Sequence, residues 1–335
     1  MFRKFVTMLA VLGLVTVFAR GADAATTFKI GTLAPQESPW GKEFTKWAAD
    51  VAKDTNGELQ LDFLWNGQAG DDVVMVRKIR AGQLDGGAMG AIGLAETGVT
   101  DVLIFQVPGL FSNWSKLDIV RNAVTPDLDK QFAGKGFTVL GWGDIGAVKT
   151  MSVGFEIHTP KDLQGKGCSY IQGDAVSPKI YSTIGGITPK QVMVSEILPS
   201  LQNGTVNVLM VPPLAAEQLQ WASRVTHMST YTGAFAIGAM IVSSARLQGL
   251  PPNLRDPMLK HYAEMNGRLT KTIRNADAQA FARMKASKTT YDPTDADRKA
   301  WSDVFVNVAR QTRGTLFSPA FFDHVVQLAD PPVKP

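Results

Sequence analysis

The stretch GWGDIGAVKTMSVGFEI, residues 141–157, decides how the chain folds. Gly141, Gly143 and Gly146 have the spacing G-x-G-x-x-G. In dinucleotide-binding folds that spacing marks a tight turn between a strand and a helix whose N-terminus meets a pyrophosphate. The reading requires a helix after Gly146. Beyond Gly146, Val148, Thr150 and Ser152 interleave with Lys149, Met151 and Val153, the pattern of an extended segment. Asp162 stands near the position of the fingerprint's ribose-binding acid, but it lies in the helical turn TPKDLQG and not at a strand end. Residues 137–142 and 149–153 are therefore expected as two strands joined by a glycine-loosened crossing, and the dinucleotide reading is set aside.

Outward from this crossing, strands and helices alternate. Phe28 to Thr32 reads as a strand. Ser38 can cap a helix with Pro39 at its first position, where no N–H is missed. Trp40, Phe44, Trp47 and Val51 then form one apolar stripe, and Asn56-Gly57 stops it. Leu59, Leu61 and Phe63 alternate with polar residues as a strand does. Helical patterns recur near residues 71–81, 115–132, 176–184 and 195–204. Strand patterns recur in GQLDGGAMG, GKGCSYI, ITPKQVMV, TVNVLMV and residues 234–243. After Pro251-Pro252 the period becomes helical throughout: Leu259, Tyr262, Met265, Leu269 and Ile273, then residues 294–313 with Thr294 as cap. The chain thus reads as α/β first and all-α last, with parallel sheets covered on both faces.

The N-terminus is basic (Arg3, Lys4), then apolar over residues 5–19, then small around Ala22-Asp23-Ala24. This is the pattern of a cleavable secretory signal peptide over residues 1–24, with a core too short for a comfortable membrane span. Removing it takes away Arg3, Lys4, Arg20 and Asp23 and leaves a net charge of about +2, from +4 for the whole chain. So weak a balance argues against nucleic acid as a partner. An exported chain with one cysteine, Cys168, has no internal disulfide and must be held by its core. About 310 mature residues suffice for that and suggest two domains.

Signatures of catalysis are thin. There is no G-x-S-x-G elbow and no H-E-x-x-H, and His158, His227, His261 and His324 lack ligand spacing. Asp71-Asp72 at a helix start has a sufficient reason in the positive helix end. No enzyme activity, cofactor or metal is expected.

Four segments in order resemble the periplasmic solute-binding subunits of TRAP transporters, the DctP-type family. They are KIGTLAPQESPWGKEFTKWAADVAKDTNGELQLDFLWNGQAGDD, VRKIRAGQLDGGAMG, HTPKDLQGKG and SEILPSLQNGTVNVLMVPP. The resemblance implies a two-lobed periplasmic-binding-protein architecture, type II-like, with long C-terminal helices. Lobe I would comprise residues 26–148 and 233–255, lobe II residues 149–232, and residues 256–330 would brace the two. It implies a periplasmic protein, monomer or dimer, that closes over a small ligand and delivers it to the small and large membrane subunits of an ion-gradient-driven transporter. Hinge candidates are the glycines of GWGDIG and the Thr232-Gly233 region.

The chain departs from the family where the ligand is gripped. The family places an arginine in K-x-R-V-P on the strand after the T-P-x-D-L turn; here Ser169 stands at that position in GKGCSYIQGD. Its second contact, an asparagine in D-G-x-x-N-P, is Val211 here, with Asn207 in place of the acid. Gly167 replaces the final lysine of T-P-x-D-L-x-G-x-K. The remaining cleft candidates are Trp40, Trp142, Met151, Tyr170, Met210 and Phe235, mostly apolar or aromatic, which suits a neutral or largely apolar ligand. The alternative is an organic acid held by a substitute cation, with Lys149 first and Arg77, Arg80 and Lys166 behind it. A sensing adaptor without transport is a further alternative.

Overall fold

The computed structural model describes residues 25–331 and 335. The leader expected over residues 1–24 lies outside the described residues. The first half alternates as read: β1 (Thr26–Thr32), α1 (Pro39–Asp54), β2 (Leu59–Leu64), α2 (Asp72–Arg80), β3 (Gly86–Gly90), α3 (Ala91–Glu96) and α4 (Trp114–Gly134). The long β4 (Phe137–Ser152) leads into β5 (Gly167–Ile171), α5 (Ser177–Ile184), β6 (Thr188–Val192), α6 (Ile197–Gln202), β7 (Val208–Val211), α7 (Pro213–Gln218) and β8 (His227–Ser229). The chain returns through β9 (Ala234–Ser243) and α8 (Ser244–Gln248), then ends with α9 (Pro252–Ser287), β10 (Thr289–Tyr291), α10 (Asp295–Thr312) and α11 (Pro319–Ala329).

Local chemistry explains several boundaries. The Ser38 hydroxyl accepts from the Gly41 N–H at the start of α1, and Asn56 and Gly57 take positive φ at its end. β2 buries Leu59, Leu61 and Phe63 and exposes the residues between. Thr294 and Asp297 form a reciprocal capping box at α10.

The strands run in the order β2-β1-β3-β9-β4-β7-β5-β6, with β8 beside β4 and β10 beside β8. The expectation of parallel sheets is corrected here. The β1/β2, β1/β3, β5/β6, β5/β7 and β8/β10 pairs are parallel. The β3/β9, β4/β9, β4/β7 and β4/β8 pairs are antiparallel, because β4 and β9 cross between the lobes in opposite directions. A second correction concerns the crossing. Residues 137–142 and 149–153 are not two strands with a break: β4 is continuous for 16 residues. It pairs with β9 from Phe137 to Val148 and with β7 from Lys149 to Ser152. A third is β10, which lies inside the segment read as all-helical and adds a strand beside β8.

The glycines of the opening motif now have a reason. Two bulges, at Leu140 and Ile145, shift the β4/β9 register by one residue each. The second lets Gly146 meet the same neighbour as Gly141 and Gly143, the 36-residue helix α9. A Cβ at Gly141 would lie 2.9 Å from the Tyr262 ring, and one at Gly146 would lie 2.5 Å from Asp277 Oδ1. A side chain at either position would push the helix off the strand. The spacing is therefore a packing face, and α9 lies on it.

Four apolar clusters are found among the described residues. In the first lobe, α1 and most of α9 cover one face of the sheet, while α2, α3, α4 and α11 cover the other. In the second, α6 and the end of α9 pack on one side, and α5 and α10 on the other. Helix α9 thus reaches both lobes; at 1.5 Å per residue it is about 54 Å long. Its buried Asp277 accepts from the Ala147 N–H of β4 at 2.8 Å and from the Leu214 N–H of α7 at 3.0 Å. Burial still pushes its carboxyl above the ordinary value, against those two donors. Asp277→Ala strands both donors, and the expected loss is about 2–4 kcal/mol of stability by urea unfolding. A loss below about 1 kcal/mol would mean the strand and helix do not depend on the clasp.

Candidate functional site

The cleft between the lobes encloses about 360 Å³. Its walls are the carboxyl ends of parallel strands and the loops after them: Thr32–Pro35 after β1, Ala88–Ile92 around the end of β3, Ser169–Gln172 of β5, and Met210–Pro212 of β7. Open α/β sheets place ligand sites there because the strand-end loops and helix N-termini converge. Val148 and Thr150 of β4, Gly233, and Ala234–Met240 of β9 line the floor.

Of the residues expected at the cleft from sequence, Trp40, Ser169, Tyr170, Met210, Val211 and Phe235 line it together. The Trp40 indole N–H donates to the Asp144 carbonyl at 3.2 Å and so ties α1 to the crossing strand. Ser169 is buried; its hydroxyl donates to the Val208 carbonyl at 3.2 Å, and its own carbonyl accepts from Tyr181 Oη at 2.6 Å. The Tyr170 hydroxyl donates to Gln191 at 3.2 Å.

Trp142, Lys149 and Met151 are placed elsewhere. Trp142 packs on Phe105 and Phe132 in the core of the first lobe. Met151 is fully buried in the second lobe. Lys149 lies between two cleft-lining residues, Val148 and Thr150, with its ammonium elsewhere. Nζ donates to the Thr230 carbonyl and to Thr232 Oγ1, both at 2.6 Å, and sits 4.6 Å from the centre of the Phe281 ring. Burial lowers its pKa to about 8, against the pull of Asp277 and Asp292. The other candidate cations are occupied too: Arg77 with Glu96, Arg80 with the Thr97 carbonyl, and Lys166 over the Phe155 ring.

The charged residues that do line the cleft are acidic: Asp71, Asp72, Asp144 and Asp174. Among the described residues no lysine, arginine or histidine lines it. Asp144 is neutralised from behind. Its two oxygens meet Arg121 Nη1 and Arg274 Nε, each at 2.6 Å, and Asp118 closes a four-membered ring through both guanidiniums. Burial acts to raise the Asp118 carboxyl, and the Arg274 and Arg121 guanidiniums outweigh it and hold it below the usual range. Asp174 accepts from the Val176 and Ser177 N–H groups and the Ser177 hydroxyl at the start of α5. The pair stands at the positive start of α2 as expected, Asp71 at the N-cap and Asp72 in the first turn, and both carboxylates bond beyond the helix as well. Asp71 makes no cap hydrogen bond to α2. Its Oδ2 accepts from the Val194 N–H at 2.7 Å. Asp72 Oδ2 accepts from the Gly90 N–H at 2.8 Å, its Oδ1 has no partner, and burial pushes its carboxyl up to about 7.

Sequence reasoning passed over Asp71, Gln106, Tyr231, Asn266, Trp301 and Phe305 as cleft residues, and all of them line it. Asp71 lies just beyond β2, in a loop that could have been flagged by the strand-end rule. Asn266, Trp301 and Phe305 come from helices distant in sequence and carry no local signal.

Two mixed sheets joined by crossing strands, with a ligand-sized cleft at their strand ends, define a two-lobed solute-binding protein. Residues 30–314 match the bacterial extracellular solute-binding proteins of family 7, DctP, and the chain belongs to that family. It is 24% identical over 283 residues, 84% of each chain, to the C4-dicarboxylate-binding periplasmic protein DctP of Rhodobacter capsulatus. It is 22% identical over 310 residues, 92% of this chain and 93% of the other, to the 2,3-diketo-L-gulonate-binding periplasmic protein YiaO of Escherichia coli K12. Among solved structures, the sugar acid binding protein DctPAm of Advenella mimigardefordensis in complex with galactonate superposes with a TM-score of 0.84 at 16% identity, covering 91% of this chain and 98% of that one. A TRAP periplasmic solute-binding protein of Sulfurospirillum deleyianum with bound succinate gives 0.83 at 19% identity, covering the same shares. No helix among the described residues is long and apolar enough to cross a membrane.

The Lys149 pKa has a measurable consequence. Between about 8 and the ordinary 10.5 the folded chain has released this proton while the unfolded chain still holds it, so stability rises with pH across that window. In thermal unfolding from pH 7 to 10.5, the wild type is expected to gain stability relative to Lys149→Met as the pH passes about 8. Parallel profiles would show that Lys149 titrates as an ordinary lysine.

Proposed function

We propose that this protein captures a small solute in the cleft and delivers it to the small and large membrane subunits of an ion-gradient-driven TRAP transporter. It acts outside the cytoplasm, as a binder and not an enzyme. The proposed division is lobe I over residues 26–148 and 233–255, lobe II over 149–232, and a brace over 256–330. The switch of β4 from β9 at Val148 to β7 at Lys149 supports the inner boundary.

The ligand is neutral or largely apolar. The observation that carries this reading is the lack of a cation in the wall: among the described residues no lysine, arginine or histidine lines it, and the Arg121 and Arg274 guanidiniums behind Asp144 are paired with that carboxylate. A carboxylate entering such a cleft loses its hydration without gaining a paired guanidinium. Ser169, read from sequence at the family arginine's position, offers only a hydroxyl, already donated to Val208. The wall around it is apolar and aromatic, with Trp40, Tyr170, Met210, Val211 and Phe235.

The second reading, an organic acid held by a substitute cation, draws on the relatives with bound galactonate and succinate. Lys149 is the nearest candidate in sequence to the cleft floor, and using it would require its ammonium to leave Thr230 and Thr232. Native mass spectrometry of the purified mature protein, with released small molecules identified, separates the two. A neutral or lipid-like compound is expected. A bound dicarboxylate or sugar acid, lost on Lys149→Met, would establish the second reading instead.

A further inference from the structure

Asp71 and Val194 face each other across the cleft. Asp71 belongs to the loop between β2 and α2 in the first lobe, and Val194 to the turn between β6 and α6 in the second. Both line the cavity, and the Asp71 Oδ2–Val194 N contact of 2.7 Å joins positions 123 residues apart. The Ser195 N–H acts on the same carboxylate. Among the described residues Asp71 is the one side chain that makes a hydrogen bond between residues 26–136 and residues 153–226. An apolar contact lies beside it in structure. The backbone of Gly173, after β5, presses against Val73 of α2 and Ile92 of α3, so closely that a Cβ there would be 3.1 Å from each.

We infer that Asp71 is the residue that fastens the two lobes together over the ligand: its carboxylate latches onto the Val194–Ser195 backbone of the opposite lobe when the cleft shuts. The chemistry is asymmetric in a useful way. A backbone N–H cannot be lost by titration or rotamer change, so the second lobe presents fixed donors. The first lobe supplies the strong acceptor, since a hydrogen bond to an ionised group is stronger than a neutral one. The contact is made outside β4, β9 and α9, which connect the lobes, so parting of the lobe rims would break it. Asp71 is unavailable to its own helix, which explains why the start of α2 has no side-chain cap. Although it lines the cleft, its role here is that of a positioning residue, acting through the opposite lobe. The inference rests on the reading of the cleft as the binding site.

The test uses the mature protein as purified, in wild-type, Asp71→Ala and Asp71→Asn forms. Small-angle X-ray scattering reads the radius of gyration, and hydrogen exchange reads the Val194 and Ser195 amides. Asp71→Ala is expected to enlarge the molecule and to speed exchange at those amides about tenfold or more, with the melting temperature little changed. Asp71→Asn, which keeps a neutral acceptor, should fall between. Loss of the bound solute from Asp71→Ala in native mass spectra would add that the latch sets retention. Unchanged scattering, with exchange within about twofold of wild type, overturns the latch. A wild type that carries and binds no solute sinks the binding reading instead, while scattering still reports on the latch.

Discussion

One buried carboxylate connects the parts that must stay in register. Asp277 projects from the C-terminal third of the long helix α9 and takes one N–H from the crossing strand and one from α7. It can come so close only because Gly146 has no side chain, and the helix can lie along the strand only because Gly141 leaves room for Tyr262 and Asn266. The rest of the architecture depends on that contact. The helix crosses both lobes, its Tyr262, Asn266 and Leu269 line the cleft, and the lobes share one spine while their rims meet at Asp71 and Val194. A buried acid costs desolvation, and this one is accepted because two backbone donors would otherwise lie in the interior unpaired.

The order of elements in the first lobe was legible, since Ser38, Pro39 and Asn56-Gly57 state a helix in local chemistry and Leu59, Leu61 and Phe63 state a strand. The crossing strand was not. Its glycines read as a loosened crossing between two strands, and a bulge leaves no trace in a period-two pattern except to break it. Strands of three residues, such as β8 and β10, fall below what periodicity resolves, because they exist through their neighbours. The antiparallel pairings were hidden for a related reason: alternation of strands and helices predicts covered sheets, but not which strand turns back across the hinge.

The site divides along the same line. Residues at strand ends, such as Ser169, Tyr170, Met210 and Val211, are expected from the rule that loops at carboxyl ends converge. Residues on β4 are not. Val148 and Thr150 line the cleft while Lys149 and Met151 turn away, and a bulge upstream makes that choice unreadable from counting. The acidic character of the wall is a property of tertiary structure. Asp144 becomes harmless only when α4 and α9 bring Arg121 and Arg274 behind it.

Cys168 carries one last implication. The sole sulfhydryl of the chain lies fully buried on β5, and burial raises its pKa to about 12. Almost none of it is thiolate at neutral pH, so alkylating dyes and oxidised partners find nothing to attack while the second lobe is intact. The native molecule is therefore a silent background on which an introduced surface cysteine would be the single reactive handle. Slow labelling of the natural one would time the moments when β5 comes out of its lobe.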